Sequence, residues 1–460
     1  MTAYVLAALM LVTVRLVVAI RERRKPNSSF AEPEEESERK MWRLLLASFM
    51  VLFAELAFIR WIAVEVRIFA YFKNLALLLC FLGFGMGCAL VREPTRWNRA
   101  VTALLGLLLL VRVPRGAGGL LENLSQNLGA GADTNIWDTS GAGNVVGFLS
   151  AAALSALLFV LIVWVFVPLG QVVGRQMNLT PKPLTAYSLN LAASLAGILA
   201  FLAVSRMMLP PWVWLGVVLL GFALLQRNRE RQILLGSLLI PLVLLLHEPS
   251  DHDHYSIWTP YQQINFTWIY APNGERAKGL VQVNHIGYQF IVNLTDDFLS
   301  RHPKMLKEAI DENPYNLPFR FAAPAPSVMI VGVGTGNDVA AALRHGSSQV
   351  DAVEIDPAIL EIGKREHPEH PYDSPRVSAH LTDARAYLKR NTGKYDLILF
   401  GLLDSHTELS DYANMRIDNF VYTEESFQEA KAHLKPDGII FVKFEVRRPW
   451  MARRLKEMLA

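Results

Sequence analysis

Apolar runs of bilayer-crossing length fill the chain before His247 and stop there, and no other feature restricts the fold so much. About 20 apolar residues cross a hydrocarbon core. Residues 44–60, 70–91, 145–169 and 185–208 approach or exceed that length. The runs 3–20, 100–113, 211–226 and 232–246 are weaker, being short or interrupted, as by Arg15 and Pro241. Seven or eight crossings are expected, a multi-pass α-helical domain over 44–247 behind a first helix and charged linker over 1–43. The first run lacks a small-residue cleavage site, and Arg21-Glu22-Arg23-Arg24-Lys25 reads as a cytoplasmic stop, so we read a helix and not a signal peptide. Residues 26–40, with Pro26, Pro33 and Glu34-Glu35-Glu36, read as a solvated linker.

Hydrophobic residues make up 52% of the 460 and charged ones 19%, and the net charge is only +3. That charge is too small to point to nucleic acid, and the basic residues cluster between apolar runs, where helix orientation explains them. Cys80 and Cys88 share one apolar run with no partner set, which indicates neither a disulfide framework nor a zinc site.

The clusters Arg21 to Lys25, Arg39 to Arg43, Arg92/Arg96/Arg99, Arg175/Lys182 and Arg227/Arg229/Arg231 belong inside by the positive-inside rule. A final crossing at 232–246 would then deliver the remainder outside, where a nucleotide cofactor is scarce. The expectation is therefore that 100–113 is re-entrant or interfacial and that the soluble domain is cytoplasmic. Glu55, Arg60, Glu65, Arg67 and Lys73 read as interhelical ion pairs or snorkelling ends before they read as a transport site. Gly83, Gly85, Gly87, Ser194 and Gly197 supply small residues for close helix packing, with Asn190 expected to hydrogen-bond across an interface.

Beyond His247 the residue types change. Gln262 to Tyr270, Gly279 to Asn284 and Tyr288 to Asn293 are β-prone, with a turn at Pro272-Asn273-Gly274, and read as a small antiparallel sheet domain over 255–300. The stretch His247 to His254 carries ligand-type residues but no fixed scaffold, so no metal is assigned. From 315 to 460 strands and helices alternate, implying a Rossmann-like methyltransferase-type α/β domain with its ligand at the strand carboxyl ends. Val328-Met329-Ile330-Val331 runs into Gly332-Val333-Gly334-Thr335-Gly336-Asn337 and a helix. The second strand ends at Glu354, suited to both ribose hydroxyls, and the third at Thr382-Asp383-Ala384, suited to an adenine amino group. Asn337 in the third fingerprint position, a G-x-G-x-G spacing and these two acids favour an adenosyl-sulfur nucleotide over a nicotinamide one. The plainer role, capping the next helix, is accepted for Asp356 before Pro357.

Tyr261-Gln262, Tyr288-Gln289, Val331 to Gly336, Glu354-Ile355-Asp356, Asp383-Ala384 and Tyr395-Asp396-Leu397-Ile398 together resemble the spermidine synthase family of aminopropyltransferases, in particular its membrane-bound members. The resemblance covers about 255–445. It implies that Gln262, Gln289, Gly332, Gly334, Gly336, Glu354, Asp383 and Ala384 contact S-adenosylmethionine or its decarboxylated form. The family's glycine-loop acid aligns with Thr335 and its catalytic base with Gly401, while its second acid is kept as Asp404. Asp404 and His406 are then the acid-base candidates, and Tyr422 and Asn419 line the mouth or serve the core. Related domains carry two further strands where this chain has a basic helix from Arg447 to Ala460, so a truncated chain or a shortened fold is expected.

The reading is a membrane-anchored transferase, multi-pass in the cell inner membrane and tied to polyamine biosynthesis, moving an aminopropyl or methyl group to an unidentified small-molecule acceptor. Its partners are the lipid bilayer and, for assembly, a possible homodimer, with no nucleic acid. The alternative is a transporter or sensor whose soluble domain binds the nucleotide without catalysis.

Overall fold

The computed structural model describes residues 41–66, 69, 73–112, 145–226, 232, 236, 238–248, 250–271, 273–302, 313–403, 420–444 and 449–459. The first apolar run, the linker, Arg67, Asp404, His406 and Asn419 lie outside the described residues. The chain forms two compact units that divide between Glu248 and Pro249.

The first unit is helical: α1 (Met41–Glu65), α2 (Lys73–Ala89), α3 (Trp97–Arg112), α4 (Val145–Leu179), α5 (Pro183–Arg206), α6 (Pro211–Leu225) and α7 (Leu239–Leu246). Met41–Glu65, Leu149–Leu179 and Pro183–Arg206 are long and apolar enough to cross a membrane, and Asn74–Ala89 and Pro211–Leu225 are shorter apolar helices. Small residues bring α2 and α4 together. A Cβ on Gly83 or Gly87 would collide with the carbonyl oxygens of Val163 or Val167, whereas Gly85 faces open space and takes no part. Gly197 meets the Phe49 carbonyl in the same way, and Ser48 donates to Asn190 Oδ1 at 2.7 Å across α1 and α5, the interface bond expected of Asn190.

Polar partners fix the ends of this unit. Arg175 on α4 donates to the carbonyls of Val91 (3.0 Å) and Glu93 (2.8 Å) and to Thr95 Oγ1 (3.2 Å), satisfying the segment after α2. At the opposite end Arg112 bonds Glu65 at 3.2 Å and Glu248 at 3.2 Å, an interhelical structural cluster of the expected kind. Arg60 lies 4.8 Å over the Trp214 ring and donates to Ser205. Helix α3 starts against Phe222 near the end of α6 and finishes on Glu65 at the end of α1, where Arg112 also meets Glu248.

The second unit contains two sheets. Strands β1 (His254–Trp258), β2 (Gln263–Tyr270), β3 (Arg276–Val283) and β4 (Ile286–Val292) form an antiparallel sheet in that order. The first was not expected from the sequence. The acids of that stretch serve the fold: Asp251 accepts from the backbone N–H of Asp253 and His254, and Asp253 pairs with Arg276 at 2.8 Å. The short helix α8 (Asp296–Arg301), capped by Thr295, follows. The parallel sheet comprises β5 (Ser327–Val331), β6 (Gln349–Glu354), β7 (Val377–Leu381), β8 (Tyr395–Phe400) and β9 (Leu434–Val442), ordered β7-β6-β5-β8-β9. Helices α9 (Asn337–Arg344), α10 (Pro357–Glu366), α11 (Ala384–Arg390) and α12 (Glu424–Ala432) connect these strands, and α13 (Pro449–Leu459) follows. Order reversal at β5 opens a crevice at the strand carboxyl ends. The small sheet packs on the parallel-sheet layer, its Ile264, Phe266 and Ile291 buried against Ile359 and Ile362 of α10.

Candidate functional site

Strand β5, buried from Val328 to Val331, ends in a turn where Gly332, Gly334 and Gly336 have φ of 70°, 57° and 102°. That left-handed backbone is strained for any side chain, which explains the glycines. The turn is tied down on both sides. Gly332 N–H bonds the Val353 carbonyl at 2.9 Å, and Gly334 N–H bonds Glu354 Oε2 at 2.9 Å. From the small sheet, Gln289 Oε1 accepts from Thr335 N–H (3.0 Å) and Oγ1 (2.9 Å), while Asn337 reaches the Phe290 carbonyl at 2.7 Å. Asn337, a mere departure from a fingerprint in the sequence, thus joins the two layers.

Glu354 is buried at the end of β6, with Oε2 on Gly334 N–H and Oε1 accepting from Ile355 (2.9 Å) and Asp356 (3.0 Å) N–H. Burial pushes its carboxyl up to about 7, although those backbone donors favour the charged form. A carboxylate has about four lone-pair sites. Three are used, so one is left for a hydroxyl unless the carboxylate turns, fewer than the pair expected.

Asp356 caps α10 through Ala358 N–H at 3.0 Å, as the sequence implied, and its second oxygen accepts from Thr259 Oγ1 (2.8 Å) and Gln262 Nε2 (3.3 Å). Asp383 is also a cap, of α11, accepting from Ala386 N–H at 2.9 Å. Both acids still line one cleft with Gln262, Gly332, Glu354 and Ala384. Gln289 does not join that lining; it braces the glycine turn. Tyr288 lines the cleft, and burial with Glu354 nearby pushes its phenol up, keeping the hydroxyl a donor.

Leu403 and Val421 complete the opposite wall. Sequence reasoning missed both, since an apolar residue in a loop carries no chemical signal. Tyr422, left open between mouth and core, clamps this wall: its hydroxyl accepts from Leu403 N–H at 3.3 Å and donates to the Gly401 carbonyl at 3.2 Å. Leu403 lies so close over Gly332 that a Cβ there would overlap it.

Residues 310–457 match the family model of the spermine/spermidine synthase domain. This part of the chain belongs to that family. The spermine/spermidine synthase domain is similar to the polyamine aminopropyltransferase of Leptospira biflexa, 30% identical over 122 residues, which are 26% of this chain and 40% of that protein. The polyamine aminopropyltransferase of Vibrio vulnificus is 33% identical over 123 residues, 25% of this chain and 37% of that one. The chain thus spans well under half the length of these curated relatives. The crystal structure of spermidine synthase from Thermotoga maritima superposes with a TM-score of 0.30 and 18% identity, over 45% of this chain and 60% of that one.

Proposed function

We propose that the chain is a membrane-anchored transferase whose spermine/spermidine synthase domain holds S-adenosylmethionine or its decarboxylated form and passes an aminopropyl or methyl group to an acceptor. The convergence of the glycine turn, Glu354 and Asp383 on one cleft carries this reading. The residues fit such a nucleotide: the glycines give close backbone approach, Glu354 keeps an acceptor site for a ribose hydroxyl, and Asp383 lies at the next strand end. When bound, the sulfonium supplies an electrophilic carbon, which the acceptor's lone pair attacks as the C–S bond breaks and its electrons pass to sulfur. The chain's part is to orient that carbon, and Asp404 and His406 are proposed to position the acceptor and take its proton.

Anchoring rests on the three long apolar helices and on α5, where Leu184, Tyr187, Leu191, Leu195, Leu199 and Leu202 are all more than half exposed along the helix. Lipid is the solvent such a stripe suits. The binding-only reading, a transporter or sensor, is favoured by Gly401 and Leu403, which put no acid beside Gly332 among the described residues.

Calorimetry of the purified chain with each nucleotide tests the proposal. Binding is expected, and Glu354→Ala should weaken it by about 1.5 to 3 kcal/mol, the worth of charged hydrogen bonds. Unchanged affinity in that variant would remove the assignment.

A further inference from the structure

We propose that the nucleotide is S-adenosylmethionine with its carboxylate intact, and that Lys443 receives that carboxylate; this rests on the transferase reading and chooses between its two nucleotides. The strand order sets where each part of such a ligand lies. Asp383 follows β7, Glu354 ends β6 and the glycine turn follows β5, all lining one cleft. A nucleotide with its ribose on Glu354 and its base on the β7 side points its tail past the glycine turn, toward β8 and β9. Neighbouring strands are about 4.8 Å apart, so β8 stands about 10 Å from β6, a span that the chain from ribose to carboxylate covers when extended.

Lys443 occupies that end of the row. Its N–H bonds the Phe400 carbonyl at 3.0 Å, which fixes its backbone beside the end of β8. Its ammonium pairs with Asp338 in the first turn of α9. Helix α9 follows the glycine turn, so the lysine side chain crosses from β9 over the end of β8 toward β5, where the strand order reverses. The ammonium also lies 4.5 Å over the Tyr315 ring, and the paired side chains are only 11% and 6% exposed. Such a lysine is held in one place. An ammonium has three donors and Asp338 takes one, so a ligand carboxylate can be added without breaking the pair. Beside the turn, Gln289 Oε1 already accepts from Thr335 N–H and Oγ1, which leaves that amide its donor nitrogen.

The two charges of the pair match the two of an amino-acid tail: Lys443 suits the carboxylate and Asp338 the ammonium. A decarboxylated tail carries an ammonium alone, which Lys443 repels and which gives its remaining donors nothing to bond.

Calorimetry of the full chain in detergent compares S-adenosylmethionine, its decarboxylated form and 5′-methylthioadenosine, which has no tail. The wild type should bind S-adenosylmethionine at least about tenfold more tightly than the decarboxylated form, the worth of a charge-assisted hydrogen bond. Lys443→Met alone would leave Asp338 buried without its counter-charge, so it is combined with Asp338→Asn. The double variant should lose the preference, and Lys443→Arg should keep it. Should the double variant no longer bind 5′-methylthioadenosine, Lys443→Gln, which still bonds Asp338 but carries no charge, replaces it and should lose the preference too. Equal or tighter binding of the decarboxylated form by the wild type, or binding of 5′-methylthioadenosine alone, overturns the proposal. So does a preference that outlives removal of the charge, or loss of 5′-methylthioadenosine binding in both variants, which would make the pair a support of the adenosine end. Failure of all three nucleotides to bind the wild type strikes the transferase reading instead.

Discussion

Glu354 is an acceptor whose charge is in question near neutrality. With its carboxyl pushed up to about 7 by burial, it is half protonated there in the empty cleft. A ribose hydroxyl donates best to the ionised form, so nucleotide affinity should rise with pH through 7 and fall about tenfold per pH unit below it. Calorimetry between pH 5.5 and 8.5 checks this. Glu354→Gln, uncharged throughout, should bind weakly with a flat profile, and an equally flat wild type would show that the ionised form is not the acceptor. Acids at successive strand ends made Glu354 and Asp383 readable from sequence. The number of lone pairs each has left was not, because that depends on which way neighbouring N–H groups point. Gly401 carries the same lesson. Alignment makes it a vacant place for a carboxylate, but the nearby Gly332 carbonyl makes it a place where a side chain does not fit.

Among elements, α2 and α4 show what a run of glycines can and cannot tell. Gly83, Gly85 and Gly87 look alike in sequence, but successive residues of a helix face different directions, and only Gly83 and Gly87 turn to α4. Gly87→Ala should separate the helices and destabilise the chain by about 1 to 3 kcal/mol, as overpacking does. Gly85→Ala, in open space, should be neutral or slightly stabilising, since alanine is the better helix former. Thermal aggregation of the two variants in detergent compares them, and equal midpoints would refute the packing assignment. The buried hydrophobic strand β5, the glycine turn and the alternation after it were readable because their pattern is local. Strand β1 was not, since its pairing with β2 is what makes His254–Trp258 a strand and the preceding Asp251 a turn former.

For the molecule as a whole, the membrane-anchored reading carries a prediction about the side on which the second unit works. Arg175 binds the segment Val91 to Thr95, so the clusters at Arg92 to Arg99 and at Arg175 share one end of the helical unit. Helix α1 runs parallel to α5, with Ser48 on Asn190 and Arg60 on Ser205, and α5 starts just after α4 ends, which brings Arg43 to that same end. The contact of Trp97 with Phe222 brings the end of α6 there too, and Arg227, Arg229 and Arg231 follow it directly in sequence. Glu248 lies at the other end, on Arg112 with Glu65. Under the positive-inside rule the clustered end would be cytoplasmic and the end at Glu248 would face the other side. A phosphatase reporter that is active only outside the cytoplasm, fused after residue 255, should therefore be active, and a fluorescent reporter that matures only inside should be dark. The reverse pattern would mean that the charge rule fails for this chain and that the nucleotide is met in the cytoplasm. Neutralising Arg92, Arg96 and Arg99 together should weaken the orientation and give mixed reporter signals. An outside location leaves the cleft chemistry unchanged but makes delivery of the nucleotide to that face a condition for any transfer.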